Sequence, residues 1–248
     1  MSTKTSKLLS FVKKYPVFKK LYFFYNIYVR NYRFIFNSSQ FGEDEIIFQI
    51  FGKDYKGSYL DLGCFHPTRS NNTFKLYKNG WHGINIDLNP LTIDLFKFAR
   101  PKDINVCAAI SNKEGTKSLY FLGDLDSKNT LSFNHKKWLN KHFKIHDKDF
   151  KVTKIKTKKL SSVLKKHDFY KIDFMNIDIE GHELEVLKSL DFKKHQIKVI
   201  CVEILDYNTF AKKRKKELIS YLKSKGYILT NKSNINYVFK KQNFQSIN

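Results

Sequence analysis

The sequence predicts an α/β protein, a mostly parallel sheet covered by helices on both faces. Three observations carry this. Short apolar runs recur along the chain: SYLD at 58–61, WHGINID at 81–87, IDFMNID at 172–178 and KVICVEIL at 198–205. The segments between them place apolar residues at helical rather than alternating spacing. Continuous apolar strands separated by helices are what a sheet buried on both faces needs. The chain has 248 residues, 42% of them hydrophobic, enough to bury one sizeable core.

The elements follow in order. Ile46, Ile47, Ile50 and Phe51 recur at helical spacing behind Glu43 and Asp44, acids that suit a helix N-terminus. Ser58–Asp61 reads as a buried strand ending at Leu62-Gly63, and Asn71–Lys78 as a helix stopped by Asn79-Gly80. Trp81–Asp87 is a second strand; the next helix opens at Asn89-Pro90, with proline in a favourable first position. Ile104–Ile110 is a third strand, and Lys117–Leu122 a further short one. Residues 123–150 are polar and without period, with His135, His142 and His146 among lysines, which predicts a lid or small insertion. Lys151–Thr157 alternates as an edge strand does. Leu160–Lys166 reads as helix, Ile172–Asp178 as strand, Gly181–Leu190 as helix and Lys198–Leu205 as strand. A basic helix over 210–225 then leads into a terminal antiparallel hairpin of Tyr227–Thr230 and Asn236–Lys240. The organisation expected is one domain over 39–248 preceded by an extension over 1–38.

Composition narrows the function classes. There is no repeat at solenoid spacing, and the aromatic content argues against global disorder. Net charge is +23, unevenly spread: residues 1–42 hold 8 basic and no acidic side chains, 128–171 hold 14 against 3, and 211–248 hold 10 against 1. Such a periphery suits nucleic acid, anionic lipid or an anionic substrate, although a Lys/Asn/Ile/Phe-rich composition bias explains the same excess. Only five residues are Arg, the side chain that base readers and phosphate clamps favour, so nucleic acid is the weaker expectation. Cys64, Cys107 and Cys201 form no CxxC or zinc spacing and lie in apolar stretches, which predicts buried free thiols in a reducing cytoplasm. The N-terminus has no signal-peptide pattern, and no window of 18 uninterrupted apolar residues exists. Residues 11–36, FVKKYPVFKKLYFFYNIYVRNYRFIF, interleave cations with aromatics and contain no acid. They read either as a segment lying on an anionic membrane, at the inner face, or as a helix packed on the domain with its lysines exposed.

A doubly wound sheet binds its ligand at the carboxyl ends of its strands, so the strand ends hold the candidate site. Asp61-Leu62-Gly63 closes the first strand, and the turn after it, Gly63-Cys64-Phe65-His66-Pro67, lacks the second glycine of a dinucleotide fingerprint. That favours a nucleoside ligand without pyrophosphate. Asp87 closes the second strand, where an acid accepts ribose hydroxyls or caps the following helix. A DxG turn followed by an acid at the end of strand two is the pattern expected of an S-adenosylmethionine site. The third cluster, Asp178-Ile179-Glu180-Gly181-His182-Glu183, gathers three acids and a histidine at one strand end, suited to acid/base work or a divalent metal, or else to helix capping. Glu203 is an acid within the apolar CVEIL and needs a partner or a role.

With these residues in view, the sequence resembles an FkbM-type methyltransferase. The matching pieces are SQFGEDEIIFQIF (39–51), SYLDLGCFHPTRSNNTFKLYKNGWHGINIDLNP (58–90) and DFMNIDIEGHELEVLKSLDF (173–192), and the resemblance covers roughly 39–240. It implies a class I methyltransferase fold, Rossmann-like, with a mostly parallel seven-stranded sheet. It also implies S-adenosylmethionine as cofactor and O-methylation of a sugar, glycan or secondary metabolite. Carried over by motif position, Asp61 and Gly63 border the methionine end of the cofactor. Asp87 holds the ribose, Ala109 lines the adenine, and Ser70, Asn72 and Thr73 shape the pocket. Asp178, Glu180 and His182 face the transferred methyl. His182 is the first candidate base by its intrinsic pKa, with Asp178 and Glu180 as rivals. A divalent ion held by Asp178 and Glu203 is an alternative way to activate a hydroxyl. The competing functions are an RNA methyltransferase and a nucleic-acid or membrane-surface binding module using the basic periphery; no [DNS]PP[YFW] tetrapeptide supports the first.

Overall fold

The apolar runs become the middle of a seven-stranded sheet. The computed structural model describes residues 9, 11–12, 14–37, 39–206 and 208–246. The strands of this sheet are β1 (Ser58–Leu62), β2 (His82–Asp87), β3 (Ile104–Cys107), β7 (Lys171–Ile177), β8 (Gln196–Glu203), β9 (Tyr227–Ser233) and β10 (Asn236–Lys241). Their order is β3-β2-β1-β7-β8-β10-β9. The first five run parallel, and β10 is antiparallel to both of its neighbours, so the terminal hairpin closes the sheet as expected. A second sheet of three short strands, order β4-β6-β5, comprises β4 (Ala109–Ser111), β5 (Gly115–Phe121) and β6 (Lys151–Lys159).

Alternation along the strands divides the core between two faces. Leu60, Leu62, Met175, Ile177, Ile200 and Val202 face one way. They pack on α6 (Leu160–Lys166), α7 (Glu183–Lys188) and α8 (Thr209–Ser224) through Leu164, Leu184, Leu187, Leu218 and Leu222. Tyr59, Phe174, Val199, Cys201 and Val238 face the other way, onto Ile47, Ile50 and Phe51 of α2 (Glu43–Phe51) and onto Trp81. The remaining helices are α1 (Pro16–Phe24), α3 (Phe74–Lys78), α4 (Pro90–Ala99) and α5 (Phe133–His142). α4 starts as the sequence indicated, with Pro90 in its first turn and the Asn89 side chain accepting from Leu91 N.

Several expectations change. The run 104–110 is not one strand. It leaves the large sheet after Cys107, keeps one bond to it from Ala108 N to the Asp87 carbonyl, and resumes as β4 of the small sheet. Lys151–Thr157 is the centre of the small sheet rather than an edge, paired with β4 and β5; its lysines alternate because both faces are largely open to solvent. Cys107 is exposed, because β3 is the last strand of the large sheet, while Cys64 and Cys201 are buried as expected. The helix anticipated from Asn71 begins only at Phe74, because Asn71 and Thr73 turn their side chains inward. Glu43 and Asp44 do more than complement a helix dipole. Both are fully buried; Glu43 accepts from Asn236 Nδ2 at 2.7 Å, and Asp44 accepts from Ser39 at 2.7 Å and lies 3.1 Å from Lys75.

The N-terminal segment lies on the domain. α1 continues into a π-helical turn at Tyr25–Arg30 and a 3-10 turn at Tyr32–Ile35. Leu9, Phe23 and Ile27 bury against Leu91 and Leu95 of α4, and Lys19 pairs with Asp94 at 2.5 Å. Among the described residues, no helix is long and apolar enough to cross a membrane.

Candidate active site

Strand order reverses between β1 and β7, and a crevice of about 1260 Å³, partly open to solvent, lies over the strand ends there. Gly63 sets its floor. Its φ is +75°, and a Cβ added there would sit 1.6 Å from the Asp178 carbonyl oxygen. The glycine therefore serves the approach of two strand ends to each other, locked by Asp178 N donating to Leu62 O at 2.9 Å.

Asp61 is completely buried. It accepts from Asn71 Nδ2 at 3.1 Å, Thr73 Oγ1 at 2.8 Å and Asn176 Nδ2 at 2.9 Å. Asn176 in turn accepts from Asn72 Nδ2 at 3.0 Å. Behind this network lies Arg100, also fully buried, which donates to Thr73 Oγ1 at 2.8 Å, Asn71 Oδ1 at 2.6 Å and the Pro67 carbonyl. Burial raises the Asp61 pKa, and the Asn176 bond, the Arg100 charge and the Thr73 and Asn71 bonds oppose that rise. Asp61 thus ties down the loop between β1 and α3.

That loop is backed from outside by His66, whose Nδ1 accepts from Thr68 N and Arg69 N and whose Nε2 lies 2.7 Å from Asn26 Oδ1. Burial, then the charges of Arg69, Arg100 and Arg30, push His66 down to about 3, so it is neutral. Phe65 and Ser70 adopt positive φ within the loop, 51° and 47°, and both line the crevice.

Asp87 closes β2 on the far side of Gly63. Its Oδ2 accepts from Phe65 N at 3.1 Å and its Oδ1 from Asn89 N at 2.7 Å. Because Asn89 caps α4, Asp87 keeps unused lone pairs toward the crevice. Burial lifts its pKa to about 6 against those two bonds. Asn72 and Ala109 line the same space.

At the ends of β7 and β8 the acids gather. Oxygens of Asp178, Glu180 and Glu203 all lie within 4.8 Å of one another. The Asp178 Oδ1 is buried and accepts no hydrogen bond. Burial first, then the charges of Glu180 and Glu183, raises Asp178 well above the usual carboxylate range. Glu203 is raised likewise, by burial and then by Asp178, Glu180 and Glu183. The Asp178 and Glu203 carboxyls sit close enough to share one proton. Such a pair can hold and exchange one proton, and with Glu180 it forms a set of oxygens that can hold a divalent cation.

The other DIEGHE residues divide. Glu180, at φ +57°, lies 2.8 Å from His135 Nε2 of α5. His182 is buried at the crevice wall. Its Nε2 accepts from Lys117 Nζ at 2.8 Å and lies 3.1 Å from Ser111 Oγ, and Glu185, itself gripped by Arg214, lies 3.7 Å from its Nδ1. Burial and then the Lys117 charge push His182 down to about 4, so it is neutral, with its Nε2 lone pair facing Lys117. Glu183 turns under the loop and accepts from Gly181 N at 2.9 Å and Ile179 N at 3.3 Å.

Of the residues anticipated, Asp61, Gly63, Asn72, Asp87, Ala109, Asp178, Glu180, His182 and Glu203 all line the one crevice. Arg100, Lys117, His135 and Asn176 were not anticipated. A buried arginine inside an otherwise ordinary helix end carries no local signal, whereas His135 stood in the polar segment expected to form a lid. From that segment Asp126, Ser127, Asn129 and Leu131 also reach the crevice wall.

The doubly wound sheet and the carboxylate-lined crevice at its switch point define a Rossmann-like protein that takes a ligand over its strand ends. The model of the family described as Methyltransferase FkbM domain matches residues 55–229, well over half of the chain, and the chain belongs to that family. It is a methyltransferase by family, with the fold the resemblance implied. The match starts after α2, so the SQFGED segment and the N-terminal helix lie outside it. A search of curated proteins returned no match.

Proposed function

We propose that this protein transfers a methyl group from S-adenosylmethionine to a hydroxyl of a sugar, glycan or related small molecule. The observation that carries the reading is the presence in one crevice of Asp87 at one end and the Asp178–Glu203 pair at the other. The residues fit the cofactor. Asn72 Oδ1, Asn89 Nδ2 and Asp178 Oδ1 are buried atoms with no hydrogen-bond partner, and all three residues line the crevice. Buried polar atoms need partners, and a ligand carrying hydroxyls, an amino group and ring nitrogens supplies them. The acids around Asp178 complement positive charge on the methionine end.

When bound, S-adenosylmethionine supplies an electrophilic methyl on a positively charged sulfur. Asp87 accepts the ribose hydroxyls with the lone pairs that Phe65 N and Asn89 N leave free. The Asp178–Glu203 pair takes the proton of the acceptor hydroxyl, with Asp178, whose Oδ1 has no other partner, as the acceptor. His182 holds Lys117 at the wall instead of serving as base, because its Nε2 already accepts from that ammonium. A smaller hollow adjoins the crevice and shares Glu203 with it, its wall part aliphatic (Leu205, Leu218) and part polar (Asn134, Arg214), with the Phe210 ring beside them.

A second reading rests on the closeness of Asp178, Glu180 and Glu203. A divalent ion held there would lower the hydroxyl pKa itself. Full turnover in the presence of a chelator removes this reading and leaves the carboxylate pair.

The test has two arms. S-adenosylhomocysteine should raise the melting temperature, and no rise overturns the cofactor assignment. Mass spectrometry of glycans from cells with and without the gene should show a sugar whose methyl group depends on it; a methyl-dependent change confined to RNA overturns the acceptor class.

A further inference from the structure

We infer that the N-terminal segment, residues 11–36, is a docking surface for an anionic lipid bilayer. Its inner face is accounted for. Leu9, Phe23 and Ile27 bury on α4, Lys19 pairs with Asp94, and Asn26 bonds His66. Its outer face is not. Val17 is 70% exposed, Leu21 59%, Tyr32 60% and Phe36 76%, and Phe18, Phe24 and Tyr28 are also exposed. Large apolar side chains in such density on one segment mark a surface that meets something other than water.

The charge pattern chooses the occupant. Lys14, Lys20, Arg30 and Arg33 are exposed beside these rings, and residues 1–42 contain no acid. Lys14 and Arg33 sit over the rings of Tyr15 and Phe34. Aromatic and aliphatic side chains at headgroup depth, flanked by cations and free of acids, match the physics of an interfacial segment on an anionic leaflet. A second copy of this chain would bring one cationic stripe against another, which charge repulsion disfavours. Single-stranded nucleic acid also takes aromatics and cations, yet Val17 and Leu21 have no flat face on which a base can stack.

The segment is also joined to the crevice at two points. The Asn26–His66 bond meets the loop that carries Phe65 and Ser70. Leu125, packed against the same apolar cluster as Phe23 and Ile27, precedes Asp126 and Ser127 of the crevice wall. Docking would therefore hold the crevice loops near the lipid surface. This inference is independent of the proposed reaction.

The experiment is cosedimentation of the full chain with vesicles of phosphatidylcholine alone and of phosphatidylcholine mixed with phosphatidylglycerol. Binding is expected only to the mixed vesicles and should weaken as salt is raised. V17S/L21S/F24S removes outward apolar groups and should reduce binding at least tenfold. The second variant, K14E/K20E/R33E, touches only exposed cations and should abolish it; each such cation is worth about fivefold near an anionic surface. An unchanged melting temperature certifies that both variants are folded, and if the apolar variant does not fold, the charge variant decides alone. No sedimentation with mixed vesicles overturns the inference. So does self-association, or an RNA gel shift, that these variants remove while vesicle binding is absent.

Discussion

Asp61 and Asp178 stand at the carboxyl ends of neighbouring strands, and the protein provides for them in opposite ways. Asp61 accepts from three side chains, and Arg100 supplies positive charge behind them. Asp178 has an oxygen with no donor, and its charged neighbours are other acids. A buried acid that accepts from three side chains and has a cation nearby is a structural tie, costly to remove. A half-buried acid that has one oxygen without a donor and sits among like charges costs stability, and that oxygen is free for a proton or a ligand. In sequence the DxG and DIEGHE motifs look equally chemical; their surroundings separate them.

The comparison breaks most visibly at Asp178. Asp178→Asn removes the proton acceptor while keeping the shape, so turnover should fall by about 10²–10⁴. S-adenosylhomocysteine affinity should stay within a few-fold, and the melting temperature should hold or rise, because one of several crowded acids is gone. A variant with normal turnover would show that Asp178 is as structural as Asp61.

The opposite outcome belongs to the Asp61 side. Arg100→Met keeps a long apolar side chain but leaves the Asn71–Thr73 turn short of donors and Asp61 without its cation. Denaturant unfolding should show a loss of about 3–5 kcal/mol, the range for stranding a buried charge. A loss below about 1 kcal/mol would mean that the network is not what holds the loop, and the contrast between the two acids would fail.

The sequence conveyed the sheet more fully than the site. β1, β2, β7 and β8 were legible because a strand buried on both faces must be apolar throughout, and the polar residue that ends such a run marks the strand end. The strand ends then located the crevice residues, since the switch-point rule needs only topology. What was not legible depends on partners distant in the chain. Lys117 meets His182 across 65 positions and donates to the nitrogen that a base would use. Asn236 reaches Glu43 across 193. The Asp178 carbonyl that comes within 1.6 Å of a Cβ added at Gly63 lies 115 positions away and left no local trace. Cys107 lies in an apolar run like its two siblings; only its place on the last strand exposes it. Glu183 has the same local context as Glu180, yet one anchors the loop backbone and the other faces His135.

Asp87 is intermediate between the two acids and sharpens the comparison by its pH dependence. It accepts two backbone N–H groups, fewer donors than Asp61 has, and no cation is bonded to it; burial carries its pKa from an ordinary 3.8 to about 6. Asp87→Ala should weaken S-adenosylhomocysteine binding by about 1.5–3 kcal/mol, the worth of hydrogen bonds to a charged group. Calorimetry with unchanged affinity would remove the ribose assignment. In the intact protein the same carboxylate must be ionised to accept two hydroxyl donors. Affinity should therefore be flat above pH 7 and fall as pH drops through 6, by up to tenfold per unit, and this fall should be absent in Asp87→Ala. Stability of the unliganded protein runs the other way. Between 3.8 and about 6 the folded state holds a proton at Asp87 that the unfolded chain has released, so the contribution from this group is greatest at low pH and is lost as pH rises through that window. Opposite slopes for ligand affinity and for the Asp87-dependent part of stability, measured on wild type and Asp87→Ala over the same pH range, would identify Asp87 as an acid kept for a ligand. Parallel slopes would place it with Asp61 among the structural ties.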